Sequence, residues 1–78
     1  MPTALNVGSY RFFFYASDRD EPAHIHVERD DNVAKFWLDP VSLSRSGRFR
    51  TAELGRIWRL VVEHQAEFQE VWSEFFQG

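Results

Sequence analysis

His24 and His26 stand one residue apart in the segment Glu21-Pro22-Ala23-His24-Ile25-His26-Val27-Glu28. Side chains alternate between the two faces of an extended strand. In that conformation Ile25 and Val27 turn toward a core, while His24, His26 and Glu28 share the other face. Three kinds of chemistry fit such a trio. As an acid and a base, the imidazoles would serve a metal-independent ribonuclease, which also needs a cation for the phosphate. The arginines of 45–50 offer that cation, and Arg48 is the candidate to join His24 and His26. As ligands, the two rings and Glu28 would face a metal such as zinc, which takes about four donors at roughly 2 Å. Same-face neighbours on a strand are spaced about 7 Å apart, so two can chelate but a third rarely joins. No metal and no other cofactor is therefore expected. As struts, the rings would hydrogen-bond the preceding loop and stack on Tyr15 or Trp37.

Pro22 holds φ near −65° and so sets the direction in which the chain enters this strand. Asp20 and Glu21 come just before it, and carboxylates beside an imidazole favour its charged form. The expectation is a partly exposed pair of rings, organised by the loop 17–22.

The rest of the chain must position that strand. Its 78 residues make one domain, 1–78. Eight Phe, three Trp and two Tyr are more rings than one small core easily hides. A homodimer through the C-terminal helix is expected to cover the surplus, with Phe68, Trp72, Phe75 and Phe76 partly exposed in one copy. The absence of cysteine excludes disulfides, thiolate metal sites and cysteine nucleophiles. Met1-Pro2-Thr3-Ala4-Leu5 has neither a basic start nor a long apolar run. Neither a signal peptide nor a membrane span is expected, and the cytoplasm is the expected location. Charge is unevenly spread: residues 45–59 hold five arginines against Glu53 alone, and residues 60–78 hold four glutamates and no basic residue.

Hairpin signals place strands at about 4–7 and 10–15 around Gly8-Ser9, and at about 23–28 and 33–38 around Arg29-Asp30-Asp31-Asn32. Residues 39–50 read as a polar connection pinned by Val41, Leu43 and Phe49. Thr51 is the expected N-cap of a helix whose apolar stripe runs Leu54, Ile57, Val61, His64, Phe68, Val71, Phe75. Unbroken, it would run about 39 Å at 1.5 Å per residue, beside strands of only about 20 Å. It either breaks near His64-Gln65-Ala66 or projects into a partner, and a broken helix covers a sheet better. The fold class is α+β: an antiparallel sheet of about four strands in two hairpins, covered on one face by a C-terminal helix or helix pair. The opposite face then gathers Arg11, Phe13, Tyr15, His24, His26, Glu28, Lys35 and Trp37. Such a face suits a protein interface, or an RNA with bases stacked on Phe13, Tyr15 and Trp37 beside Arg11 and Lys35.

The segments Tyr10-Arg11-Phe12-Phe13-Phe14-Tyr15, Glu21-Pro22-Ala23-His24-Ile25-His26-Val27 and Ala34-Lys35-Phe36-Trp37-Leu38 resemble a bacterial family whose hallmark is E-P-P-H-I-H-V. It is the domain of unknown function numbered 4160. The resemblance covers nearly the whole chain, including a W-x-E-[FY]-F ending matched by Trp72-Ser73-Glu74-Phe75-Phe76. The chain departs from the family at Ala23, where a second Pro is usual. It departs again at Gly55, which costs a helix roughly 1 kcal/mol relative to Ala. The resemblance implies a small cytoplasmic bacterial protein, often encoded beside another small protein in pairs of the toxin–antitoxin kind. It implies neither an activity nor catalytic residues. The expected function is accordingly a protein-interaction component of a two-gene module. Its partners would be a second small protein from the neighbouring gene and a second copy of itself, with nucleic acid as a further option and no membrane. The alternatives are the ribonuclease-type toxin and the RNA-binding sheet. Met1-Pro2 also resembles the start of small tautomerases with an N-terminal proline base, but those lead from a strand into a helix, and this chain leads into a hairpin.

Overall fold

In the computed structural model, which describes residues 3–76, Gly8 stands at φ +57°. That left-handed conformation favours glycine and reverses the chain between β1 (Thr3–Val7) and β2 (Tyr10–Phe13). Asp30, at φ 57°, does the same between β3 (His24–Arg29) and β4 (Asn32–Leu38), because a short Asx side chain tolerates this region. The sequence expectation of about four strands is corrected by β5 (Val41–Arg45), which lies within the expected polar connection. Serine has little intrinsic preference for strands, so this segment is extended because it pairs with β4: Phe36 opposite Leu43 and Leu38 opposite Val41. The sheet is antiparallel throughout, in the order β1-β2-β3-β4-β5.

The helical segment breaks at His64, giving α1 (Thr51–Glu63) and α2 (Gln65–Phe76). An unbroken helix of about 39 Å would exceed the longest extent of the molecule, 37 Å. The break lets α2 turn across the sheet, where the Gln65 amide donates to the Leu38 carbonyl. Thr51 is not the N-cap. Arg50 is, with an extended backbone and no capping side chain. Glu53 in the first turn anchors this end instead. Its carboxylate accepts from Tyr10 Oη at 2.7 Å and from Arg29 Nε and Nη2 at 2.6 and 2.9 Å. A carboxylate is also favoured beside the positive end of the helix dipole.

Between sheet and helices lie Phe12, Phe14, Ile25, Val27, Phe36 and Leu38, met by Ile57, Val61 and Phe68, all fully or almost fully buried. Phe68 packs on Phe12 with ring centroids 5.2 Å apart. This corrects the expectation that Phe68 would be exposed at a dimer contact, because it fills the chain's own core. Phe75 remains 46% exposed. Among the described residues, no helix is long and apolar enough to cross a membrane. The Met1-Pro2 reading lies outside the described residues.

Candidate functional site

After β2 the chain tightens into a short 3-10 helix, Ala16–Asp20. The Asp18 amide donates to the Tyr15 carbonyl at 3.0 Å, and the Tyr15 amide donates back to Asp18 Oδ2 at 2.8 Å. This reciprocal turn aims the Asp18 side chain inward, over the histidine face of β3. There Oδ2 lies 3.1 Å from His24 Nε2 and 3.1 Å from His26 Nε2. His24 Nδ1–H donates to the Pro22 carbonyl at 2.9 Å, so Pro22 both directs the strand and orients the ring.

The expectation of two partly exposed rings is corrected at His24, which is fully buried. Trp72 of α2 lies against it at 4.9 Å, His26 at 5.1 Å and Trp37 at 5.7 Å. His26 retains 12% side-chain exposure. It stacks on Phe13 at 5.3 Å and meets the edge of Tyr15 at 4.9 Å. Phe13, expected on an open face, is buried beneath these neighbours and is not free to stack a base.

Burial holds the His26 imidazole below the ordinary histidine pKa, and the facing Asp18 carboxylate offsets this only in part. Burial pushes the Asp18 carboxyl up, but the Tyr15 amide and the two imidazoles outweigh it, so the carboxyl titrates below the ordinary aspartate range. The three residues thus form one electrostatic unit around a single oxygen.

Other expected site residues are engaged elsewhere. Glu28 accepts from Arg11 at 2.9 Å, and the Arg11 guanidinium lies 4.2 Å above Phe13. Glu28 is therefore not a third donor beside the histidines. Lys35 pairs with Glu21 and sits 4.5 Å over the Trp37 ring. Arg48 does not join the histidines. It bonds Asn32 at 3.1 Å and Asp31 at 3.2 Å, at the β3–β4 turn, whereas His24 pairs with Trp37 at the other end of that hairpin. The arginine near His26 is Arg45, which lines a cavity of about 190 Å³ with Tyr15, His26 and Lys35. A larger groove of about 630 Å³ runs between Trp37 and Trp72, with Pro22, Pro40, Asp39 and Ser42 along it. Sequence reasoning missed Asp18 and Trp72. A signal for Asp18 was present, since an Asp three residues after a strand end can accept that residue's amide. For Trp72 there was none beyond its helical stripe.

A small α+β protein with a buried Asp–His–His cluster is the class that fold and site define. The chain belongs to the family described as "Domain of unknown function (DUF4160)", whose model matches residues 9–73. No curated protein and no solved structure matches it.

Proposed function

We propose that this chain is the protein-interaction component of a cytoplasmic bacterial two-protein module, whose partner is a second small protein encoded by a neighbouring gene. The observation that carries the reading is the groove of about 630 Å³ walled by Trp37 and Trp72. Grooves of roughly 300–1,000 Å³ lined by aromatic and a few polar groups are the usual seats for a ligand or peptide segment. Asp39 lines it, and Glu70 and Glu74 stand exposed on the helix that carries Trp72. The segment that fits therefore offers an apolar anchor flanked by basic residues. Co-expression with the neighbouring gene product tests this. Ser42 is exposed at the groove, so Ser42→Trp fills it without disturbing the core. The variant should fold and lose the partner, while Trp58→Ala, on the exposed side of α1, should keep it. A folded Ser42→Trp that still retains the partner refutes the reading.

A second reading, the metal-independent ribonuclease, is favoured by the cavity that joins His26 to Lys35 and Arg45. Arg45 and an imidazole around one space suit a phosphate, with Lys35 beside them already paired with Glu21. Buried His24 does not reach that space as a proton carrier, so this reading rests on His26 with Arg45. RNA cleavage by the purified chain, abolished by His26→Ala and kept by His64→Ala, would favour it over the interaction module.

A further inference from the structure

The Nε2 atom of His24 is buried and has no hydrogen-bond partner. The other ring nitrogen faces the Pro22 carbonyl at 2.9 Å, and a carbonyl only accepts, so Nδ1 carries the hydrogen. In the neutral ring Nε2 then presents a bare lone pair. Asp18 Oδ2 lies only 3.1 Å from it, without the alignment of a hydrogen bond. A lone pair facing a carboxylate oxygen inside a protein is repulsive, and an unpaired buried polar atom is costly. A cation between the two, a proton or a metal ion, removes both penalties. His26 Nε2–H donates to the same oxygen at 3.1 Å, a hydrogen that a bound ion would replace, and one donor atom from each of Asp18, His24 and His26 lies within 4.8 Å of the others. Around a tetrahedral ion with bonds of about 2.0–2.1 Å, donors stand about 3.3 Å from one another.

We infer that Asp18, His24 and His26 form a site for a divalent first-row cation, with zinc as its natural probe. The inference rests on neither functional reading above. Two imidazoles and one carboxylate are a hard-to-intermediate donor set suited to such ions. The orienting bonds are already in place: the Pro22 carbonyl fixes the His24 tautomer, and the Tyr15 amide holds Asp18 Oδ2 at 2.8 Å. The strand alone supplies only two donors. The third comes from the 3-10 helix, so the ion would fasten Ala16–Asp20 to β3 in a chain that has no cysteine to do so.

The test uses the purified full chain, stripped with a chelator and titrated with zinc by calorimetry and with cobalt(II) by visible absorption. One ion per chain is expected, with a rise in melting temperature on zinc addition. Asp18→Asn and His26→Ala should each weaken binding by roughly tenfold or more. Should either variant fail to fold, the ring resonances of the wild-type chain locate the ion. Zinc should move those of His24 and His26 and leave His64 unchanged. His64 is the competing ligand, with Glu67 at 3.2 Å and Glu63 at 3.8 Å. Binding that is lost in His64→Ala overturns the inference. So does a folded chain that takes up no zinc at about 1 mM, which would leave a proton between Asp18 and His24.

Discussion

Gly47→Ala should be among the more damaging single-methyl additions to this protein, and Gly8→Ala is its internal control. Both glycines hold nearly the same left-handed backbone, at φ +58° and +57°. An L side chain in that region costs roughly 1–2 kcal/mol. A Cβ at Gly8 would meet nothing within 4 Å, so Gly8→Ala should cost about that much and no more. A Cβ at Gly47 would come 2.2 Å from the Val33 carbonyl oxygen and 3.0 Å from its carbon. Those atoms belong to β4, where Val33 is paired with Glu28 of β3, so they cannot move without disturbing that ladder. Relieving such a clash adds roughly 1–3 kcal/mol, for a total of about 2–5 kcal/mol. For a domain of this size each kcal/mol lowers the melting temperature by about 4–8 °C. Urea unfolding followed by tryptophan fluorescence measures both variants against the parent. Equal losses for the two would refute the argument that the close approach to Val33, and not backbone conformation, dominates at Gly47. Val33 and Arg45 both line the cavity beside His26, so the damage should also reach that cavity.

Phe68→Ala removes the ring that packs on Phe12 and should cost about 3–5 kcal/mol by cavity formation, seen as a lower urea midpoint with little change in slope. A loss under about 1 kcal/mol would mean the ring is not in the core. The hydrogen bonds from Arg29 and Tyr10 hold the Glu53 carboxyl below its ordinary pKa, against a smaller opposing effect of burial. Its folded pKa is depressed, so its contribution is fully present above the unfolded pKa and is lost as pH falls through the folded one. Glu53→Gln should therefore lower stability at neutral pH and flatten its decline in acid, and an unchanged acid limb in thermal melts would count against this. Self-association through α2 should give a light-scattering mass above that of one chain at micromolar concentration. Phe75→Lys should return it to the monomer, and a monomeric parent would refute self-association.

Local periodicity was enough to reveal which side of each main strand faces the core. Phe12 and Phe14, Ile25 and Val27, and Phe36 and Leu38 alternate in the sequence and point inward in the structure. The helical stripe was equally legible, but its length left two outcomes, a break near His64-Gln65-Ala66 or projection into a partner, and the structure takes the break. Alternation says which side a residue faces but not what will cover that side. His24 and His26 were placed correctly opposite Ile25 and Val27. Their burial was decided by Asp18, carried in by a five-residue 3-10 helix, and by Trp72, brought from the last helix. The same reason separates Arg45 from Arg48. They are near neighbours in the chain, but strand register sets one beside His26 and the chain's path after Gly47 carries the other to the far turn. β5 was missed although Val41-Ser42-Leu43-Ser44 alternates apolar and polar residues. Its serines favour no strand by themselves, and only the hydrogen-bonding groups of β4 alongside make extension the stable state. Thus pattern within a segment determined facing and periodicity, while contacts between distant segments determined burial, pairing and the convergence of the site.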